Sequence, residues 1–353
     1  MTRPSVISFA HAISEATYQA MEADDSVVCF GLGVDDPKRV FGTTAGLKER
    51  FGKRVFDTPT SENAMTGIGI GAALEGMRPV MTHQRLDFFL LAMDQLVNNA
   101  AKWHYMFGGR RSVPITIRLI LGRGWGQGPT HSQNLQAWFA HIPGLKVVMP
   151  STPADAKGLL LESIFDDNPV VFLEHRWLHQ QVGEVPIEAG FRTPLSKARL
   201  VQEGSDVTIV AASYLTIEAT HAVQHLAKQG VKAELIDLRT IKPLDFDTVL
   251  ASVRKTGRLL ALDTGAACGS VAGEIIARVA LDAFASLKTA PIRLAMPDVP
   301  EPTCYTMTKN FYFGAPEIAA AAWQLATGEN RAFPELARAG HHDVPGAWFT
   351  GPF

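Results

Sequence analysis

Two segments of the sequence combine residue types and spacings that could do chemistry. The first is the loop over residues 122–133, GRGWGQGPTHSQ, in which four glycines precede His131. Glycine lets a ligand approach the backbone closely, and histidine is the side chain that most often transfers protons near neutral pH. The pattern indicates a proton-transfer residue on a ligand-contacting loop. The alternative is a histidine that only holds the turn.

The second segment is DTPTSENAM, over residues 57–65, which contains Glu62. Thr60 or Ser61 could cap the helix that follows, and the helix dipole favours an acidic residue in a first turn. Glu62 therefore has two interpretations. It either stabilises the helix end, or it is a buried carboxyl that hydrogen-bonds a nitrogen of a heteroaromatic cofactor.

Other short patterns argue against several kinds of site. The pairs His221/His225 and His175/His179 have a spacing that can bind zinc, but no HExxH motif or third ligand accompanies them, so we interpret both pairs as solvated. The first predicted strand is not followed by GxGxxG, and the chain contains neither GxxxxGK[ST] nor GxSxG. Nucleoside triphosphatases are thereby excluded, and hydrolases are disfavoured.

Composition narrows the class of protein further. The chain has 353 residues, 46% hydrophobic and 19% charged, with a net charge of -2. A dedicated nucleic-acid-binding protein would usually be strongly basic, and there is no apolar run of about 18 residues for a membrane span. The first residues become acidic too early for a signal peptide, and the three cysteines form no CxxC pair. We therefore expect a reduced, cytoplasmic protein that binds neither nucleic acid nor membrane.

The elements that must position Glu62 and His131 alternate between apolar strands and helices. Strands are predicted at 26–33, 113–121, 145–150 and 169–175, with helices at 63–77 and 87–107 among them. Continuous apolar strands separated by helices indicate a parallel sheet covered on both faces. Residues 176–204 resemble an extended connection, and a second α/β series follows over 206–327. At roughly 150 residues per domain, two domains are expected.

Four segments together resemble a known family, the beta subunits of 2-oxo acid dehydrogenase first components, of the pyruvate and branched-chain type. They are RVFDTPTSENAMTGIGIGAALEGMRPV (54–80), MDQLVNNAAKWHYMFGG (93–109), HSQNLQAWFAHIPGLKVVMPSTPADAKGLL (131–160) and DLRTIKPLD (237–245). These are thiamine-diphosphate enzymes of the transketolase superfamily.

The resemblance implies two doubly wound α/β domains. The first is a pyrimidine-binding domain with a mostly parallel sheet over 1–190, with the connection beginning near residue 176. The second is a transketolase C-terminal-type domain over 191–330, and 331–353 is a tail that could contact a partner.

The resemblance also assigns roles to individual residues. Glu62 matches the glutamate that hydrogen-bonds the aminopyrimidine ring of the cofactor and so favours formation of its nucleophilic ylid. Phe88 matches the aromatic residue packed on that ring, and Gln84 matches a neighbouring cofactor contact. His131 matches the active-site histidine beside the substrate and the covalent intermediate.

A structural potassium site is also implied by the resemblance. Its ligands would be Ile115, Ser163, Asp166 and Asn168, mostly through backbone carbonyls plus a carboxylate, and oxygen ligands suit a hard cation. The alternative for residues 166–168 is a plain turn between a helix and a strand.

The GDG motif that holds the diphosphate and magnesium in this superfamily does not occur in the chain. The resemblance therefore implies an alpha-type partner that carries the motif and most of the magnesium site. We expect a heterotetramer of two alpha-type and two beta-type subunits, inactive without the alpha partner, with a lipoyl acyltransferase as a further candidate partner.

Three positions depart from the family pattern and bear on the substrate. Leu32 stands where the family has a carboxylate, and Arg85 and Arg123 flank the site, where they either bind an anionic or sugar-like substrate or are surface charges. The leading function is decarboxylation of a 2-oxo acid with acyl transfer to a lipoyl carrier. The alternatives are a transketolase-like or carboligating subunit and a non-catalytic scaffold, which retention of both Glu62 and His131 disfavours.

Overall fold

A computed structural model describes residues 4–123, 126–188, 190–338 and 343–344 of the chain. Within these ranges the strands of the first half are β1 (Ser5–Ser8), β2 (Val27–Gly31), β3 (Val55–Asp57), β4 (Arg78–His83), β5 (Thr116–Leu121), β6 (Lys146–Val148), β7 (Val170–His175) and β8 (Val182–Val185). The remaining strands are β9 (Arg199–Gln202), β10 (Val207–Ala211), β11 (Ala233–Asp237), β12 (Thr240–Lys242), β13 (Leu259–Ala266) and β14 (Ile292–Met296).

The α-helices of the same ranges alternate with these strands. They are α1 (Phe9–Ala23), α2 (Leu47–Phe51), α3 (Glu62–Leu74), α4 (Leu86–Phe89), α5 (Ala101–Met106), α6 (Gln136–His141), α7 (Pro153–Ile164), α8 (Tyr214–Lys228), α9 (Phe246–Thr256), α10 (Val271–Asp282), α11 (Tyr305–Thr308) and α12 (Ala315–Thr327). Thr152 caps α7, because its hydroxyl accepts the Asp155 N–H at 3.2 Å.

The first sheet has the order β12-β6-β7-β5-β4-β2-β3 in the described part of the chain. All its neighbouring strands are parallel except β12, which is antiparallel to β6. Strands β2, β5 and β7 are buried along their whole length, and side chains of β2 alternate between two apolar clusters. Helices α1 and α7 cover one face, and α3 and α4 contribute to the cluster on the other. The predicted parallel sheet, covered on both faces, is confirmed.

The second sheet has the order β14-β13-β10-β11-β9, and it is parallel except for β9. Helices α8 and α12 pack on one face, while α9 and α10 pack on the other. The chain therefore has two α/β units with mostly parallel sheets, which is the predicted fold class.

The connection over 176–204 is more structured than its sequence suggests. Strand β8 pairs with β1 in a separate antiparallel ribbon, and β9 already belongs to the second sheet. One strand also links the two units: β12 lies in the second α/β series along the chain but extends the first sheet beside β6. The boundary at residue 190 falls between β8 and β9, and the exact division into domains stays a prediction.

The single helix predicted over 87–107 is wrong in detail. Helix α4 passes through a 3-10 turn at Leu90–Ala92 into a π-helix at Gln95–Ala100 before α5 begins. A 3-10 turn is tighter than an α-helix and a π-helix is wider, so the side-chain spacing of a regular α-helix is not kept along this segment. The predicted tail over 331–353 is described only at 331–338 and 343–344, and there it packs on the chain itself, since Phe333 is buried against Trp323 and His225. No helix among the described residues is long and apolar enough to cross a membrane.

Candidate active site

The predicted site residues gather at one edge of the first sheet. Strands β3, β2, β4 and β5 are neighbours in this order and run parallel, so their carboxyl ends share one edge. Leu32, Glu62, Gln84 and His131 lie in the segments that follow these four strands. Open α/β sheets bind ligands at the carboxyl ends of their strands, so the topology places a ligand site there.

Glu62 is the first residue of α3 and is only 5% exposed. Ser61 occupies the N-cap position, but its side chain makes no capping hydrogen bond, so the expected cap is absent. Thr66 donates to the backbone carbonyl of Glu62 at 2.7 Å. Within the described ranges no protein group hydrogen-bonds the Glu62 carboxyl, which leaves both oxygens available to a ligand.

Phe88 and His131 meet edge to face. Their ring centroids are 5.2 Å apart and their planes are at 89°. Phe88 is 39% exposed and His131 is partly buried, so both rings border open space. The Nδ1 atom of His131 lies 2.9 Å from the Thr130 hydroxyl, and its backbone N–H donates to Gly128 at 3.0 Å.

Gln84 is partly buried against the turn that follows β2. A side chain at Gly33 would place its Cβ 2.2 Å from Gln84 Nε2, and Gly33 has φ of +76°, so both space and backbone require glycine there. Leu32 begins this turn, bonds Thr82 through its N–H at 3.0 Å, and packs partly against the apolar core. The aliphatic side chain of Leu32 and the amide of Gln84 therefore both lie at this edge of the sheet.

Arg85 and Arg123 are not surface charges, because they are 5% and 1% exposed. Arg85 donates to the Gly122 carbonyl at 3.2 Å and to the Gln127 side chain. Burial lowers the pKa of Arg85, and the charge of Asp87 opposes that shift. Arg123 donates to the Pro302 carbonyl at 2.6 Å. Both guanidiniums therefore brace the loop over 122–133, and these contacts favour a structural role over direct substrate binding.

Sequence reasoning missed a set of polar residues around the His131 loop. Asp87 accepts the Gln133 backbone N–H at 3.3 Å and its side-chain amide at 2.8 Å. Asn134 donates to Glu301 at 3.1 Å, across the junction with the second α/β unit. Asp87, beside Phe88, carries a weak local signal as an acidic residue in an apolar segment. Nothing near Glu301 in the sequence connects it with this loop.

A buried ion pair lies beneath the site. Arg118 binds both carboxylate oxygens of Glu174, at 2.6 and 3.0 Å, and both side chains are 0% exposed. Burial raises the pKa of Glu174, but the Arg118 charge and the His179 contact outweigh it and lower that pKa to about 2. His175 and His179 are 2% and 1% exposed, so their interpretation as a solvated pair is wrong. They pack within the core instead.

The predicted potassium ligands lie close together at the end of α7 and the start of β7. Most of their oxygens are already engaged. The Asp166 carboxylate binds Lys146, and its carbonyl accepts a hydrogen bond from Arg78 at 3.1 Å. The Ile115 carbonyl accepts the Val170 N–H at 3.0 Å, and the Ser163 hydroxyl donates to the Leu159 carbonyl at 2.6 Å. A potassium ion would therefore have to use the remaining lone pairs of the carbonyls at residues 115, 163, 166 and 168, because the Asp166 carboxylate is paired.

Comparisons with known proteins match both α/β units. Residues 5–181 match the transketolase pyrimidine-binding domain, and residues 196–318 match the transketolase C-terminal domain. The acetoin:2,6-dichlorophenolindophenol oxidoreductase subunit beta of Cupriavidus necator is 43% identical over 332 residues, covering 91% of this chain and 98% of that protein. The 2-oxoisovalerate dehydrogenase subunit beta of Bacillus subtilis is 40% identical over 325 residues, covering 91% and 99%.

Among solved structures, a split-gene transketolase described as an inactive beta4 tetramer superposes with a TM-score of 0.73. It covers 91% of this chain and 98% of its own, but at 20% identity it supports the fold alone. The chain belongs to the transketolase-like family of proteins that join a pyrimidine-binding domain to a transketolase C-terminal domain.

Proposed function

We propose that this chain is the beta-type subunit of a thiamine-diphosphate-dependent 2-oxo acid dehydrogenase, which decarboxylates a 2-oxo acid and passes the acyl group to a lipoyl carrier. The observation that carries the proposal is Glu62: a buried carboxyl, bonded to no described protein group, at the sheet edge that also holds Phe88 and His131. Relatives named as beta subunits of acetoin and 2-oxoisovalerate enzymes, at 40–43% identity over most of the chain, support it.

The residues present fit the aminopyrimidine end of this cofactor. Thiamine diphosphate, when bound, supplies a nucleophilic carbon that attacks carbonyl substrates. Glu62 would hold a proton against the pyrimidine ring, because its oxygens have no competing protein donor. The partly exposed Phe88 ring would pack on the pyrimidine and exclude water, and Gln84 would orient it. His131 would hold a proton at the substrate carbonyl or carboxyl oxygens.

The proposal assigns the diphosphate and magnesium to an alpha-type partner. No group of three or more His, Cys, Asp or Glu side chains that could hold a metal occurs among the described residues. The sequence also lacks the GDG motif that holds the diphosphate and magnesium in this superfamily. Potassium at the carbonyls of residues 115, 163, 166 and 168 stays a proposal, as do the heterotetramer, the lipoyl acyltransferase and the cytoplasmic location.

An open apolar groove of about 410 Å³ beside α3 is where we place the alpha partner. Its lining includes Phe56, which is 41% exposed, and Ile68, which is 67% exposed. Because Ser61 also lines it, the groove begins next to Glu62. A partner seated there would close the cofactor site from the side that this chain leaves open.

The carboligating or acetoin-type alternative keeps one structural support. Arg85 and Arg123 are engaged by the protein, so they no longer favour a sugar-like substrate. Leu32 still provides an aliphatic surface at the sheet edge, and one relative is named for acetoin rather than a 2-oxo acid. A neutral hydroxyketone would tolerate this surface without a carboxylate partner.

Co-expression with an alpha-type chain tests the proposal. The complex would be supplied with thiamine diphosphate, magnesium and an artificial electron acceptor, and screened against pyruvate, branched-chain 2-oxo acids, acetoin and ketose phosphates. Reduction of the acceptor with a 2-oxo acid is expected. Turnover with acetoin alone would select the alternative, and tight cofactor binding by this chain without a partner would overturn the assignment of the diphosphate site.

A further inference from the structure

Glu301 is a buried carboxyl that the proposed chemistry does not use. It is 8% exposed and lies between β14 and α11, in the second α/β unit. Its Oε1 atom accepts a hydrogen bond from Asn134 Nδ2 at 3.1 Å, and its Oε2 atom accepts one from the Tyr312 hydroxyl at 3.3 Å. Both donors are neutral, so neither compensates a negative charge on Glu301.

Asn134 connects Glu301 to the residues around His131. Its Nδ2 also donates to the Ser132 carbonyl at 3.1 Å, directly after His131 in the chain. On the other side, Asp87 holds Gln133 through two hydrogen bonds. The carboxyl end of the His131 loop is thus fixed between Asp87 and Glu301.

The segment next to Glu301 also holds the start of the same loop. Arg123 donates to the carbonyls of Pro302 at 2.6 Å and Thr303 at 3.4 Å. Gly128 lies so close to Thr303 that a Cβ would stand 2.0 Å from the threonine hydroxyl. Residues 301–303 therefore contact the loop on both sides of its glycine-rich part.

The charges around this junction leave Glu301 unpaired. Arg123 pairs with Asp343 at 2.9 Å, and Arg85 provides the positive charge near Asp87. Burial raises the pKa of Glu301 to about 8; Asp87 adds to that shift, while Asn134, Tyr312 and Arg123 oppose it. The Tyr214 and Tyr312 hydroxyls also face Glu301, and the pKa of each is raised mainly by burial and further by the Glu301 charge. Burial therefore favours the neutral form of Glu301 over the carboxylate.

We propose that Glu301 is a positioning residue that latches the His131 loop: the loop is held while the carboxyl carries its proton, and loss of that proton releases it. A negative charge on Glu301 would face Asp87 in a buried cluster whose nearby cation, Arg123, is already paired with Asp343. Separation of residues 301–303 from the loop would let water reach the charge. That movement would remove the contacts that fix His131, so the inference deepens the proposed function and rests on it for its catalytic consequence.

Hydrogen exchange tests the latch without any catalytic assay. Protection of the amides at 131–134, normalised to an unstructured peptide at each pH, would be measured on the full-length chain between pH 6 and 9.5. We expect protection to fall by up to about tenfold per pH unit as pH rises from 6 towards 8 and to level off above about 8, because the carboxyl regains an ordinary pKa once the loop opens. Glu301→Gln has no titratable proton; its amide oxygen can accept from Asn134 and its NH₂ group can donate to the Tyr312 hydroxyl oxygen, so its protection should stay flat over this range and exceed that of wild type at pH 8 and above. A pH-independent wild-type loop, or an equal alkaline loss in the glutamine variant, would overturn the proposal.

Tyr312→Phe provides a second test if Glu301→Gln folds poorly. It removes a hydrogen bond that favours the charged carboxylate, so the pH at which protection levels off should move higher; an unchanged or lower value contradicts the proposal. Glu329→Gln, at an exposed site, is the matched control and should follow wild type. Glu62→Gln should lose turnover and keep the wild-type pH profile of exchange, so failure of the latch and failure of the proposed function give different results. In an active complex, kcat should fall as pH rises towards 8 for wild type and lack that limb for Glu301→Gln.

Discussion

The ring of Phe88 stands edge-on to the ring of His131, with centroids 5.2 Å apart, although the two residues follow different strands of the sheet. Phe88 lies in the short helix α4, which follows β4, whereas His131 lies in the long loop after β5. Because β4 and β5 are parallel neighbours, their following segments meet at one edge. The contact joins a residue proposed to pack on the cofactor to one proposed to act on the substrate.

Replacement of Glu62 by glutamine should nearly abolish turnover and leave the fold intact. The amide is close in shape but cannot supply the carboxyl proton, and the loss of one such group typically costs about 10²–10⁴-fold. Steady-state kcat and the thermal midpoint would be measured for the assembled enzyme. Glu75→Gln, at the exposed far end of the same helix, is the control. Activity within a few-fold of wild type would return Glu62 to a helix-stabilising role.

His131→Ala should lower saturated turnover by about 10²-fold or more, with cofactor affinity nearly unchanged. Its imidazole borders open space and bonds only its neighbour Thr130 among the described residues, so its loss should disturb the loop little. Cofactor titration and kcat would be compared with those of His221→Ala, an exposed control. Weaker cofactor binding with normal saturated turnover would identify His131 as a brace for the loop.

Histidine burial should make the protein sensitive to acid. Burial lowers the pKa of His83 to about 3, and both of its ring nitrogens lack hydrogen-bond partners. The folded state therefore keeps His83 neutral while the unfolded chain binds a proton near pH 6.5, so stability is lost as pH falls from about 6.5 towards 3. His83→Leu should flatten this part of the pH dependence and raise stability at pH 7 by about 1–3 kcal/mol.

Urea unfolding between pH 4 and 8 would measure this effect. His221→Leu serves as the exposed control, and it should keep the wild-type slope. Because burial also lowers the pKa of His175 to about 3, some acid sensitivity should remain in His83→Leu. A His83 variant with the full wild-type slope would contradict the assignment.

The ion pair between Arg123 and Asp343 should couple the tail to the His131 loop. The two side chains are 1% and 5% exposed and 2.9 Å apart, and removing one partner of a buried pair leaves an uncompensated charge. Asp343→Asn should therefore destabilise the protein by about 3–5 kcal/mol, and Arg123→Met by a similar amount. A double-mutant cycle from urea unfolding should give a coupling of at least about 1 kcal/mol. The exposed pair Arg278–Asp282 is the control, with an expected coupling below about 0.5 kcal/mol.

Ile68→Lys should prevent assembly with the alpha partner and leave this chain folded. Ile68 is 67% exposed in the groove beside α3, so a lysine is harmless to the isolated chain but costly at a covered apolar surface. Co-purification and size-exclusion chromatography would report assembly, and circular dichroism would report folding. Leu281→Lys, at an 81% exposed site on α10, is the control. Normal assembly of Ile68→Lys would place the partner elsewhere.

The sequence alone determined the features that depend on neighbouring residues. Continuous apolar runs such as residues 169–175 predict buried strands, because a strand with no polar face must be covered on both sides. The position of Glu62 at a helix start follows from local patterning. The roles proposed for Glu62 and His131 follow from the resemblance of segments 54–80 and 131–160 to the family.

Only the tertiary structure decided which distant residues meet. Arg123 looks like a surface charge in the sequence, but it is buried because Pro302 and Asp343, far along the chain, supply its acceptors. Strand β12 joins the first sheet although it is embedded in the second series, and Glu301 reaches the His131 loop across that junction. Periodicity fixes which face of an element is buried, but it carries no information about the element opposite. The charge balance of a buried cluster, and with it the protonation of Glu301, is therefore set by the folded chain.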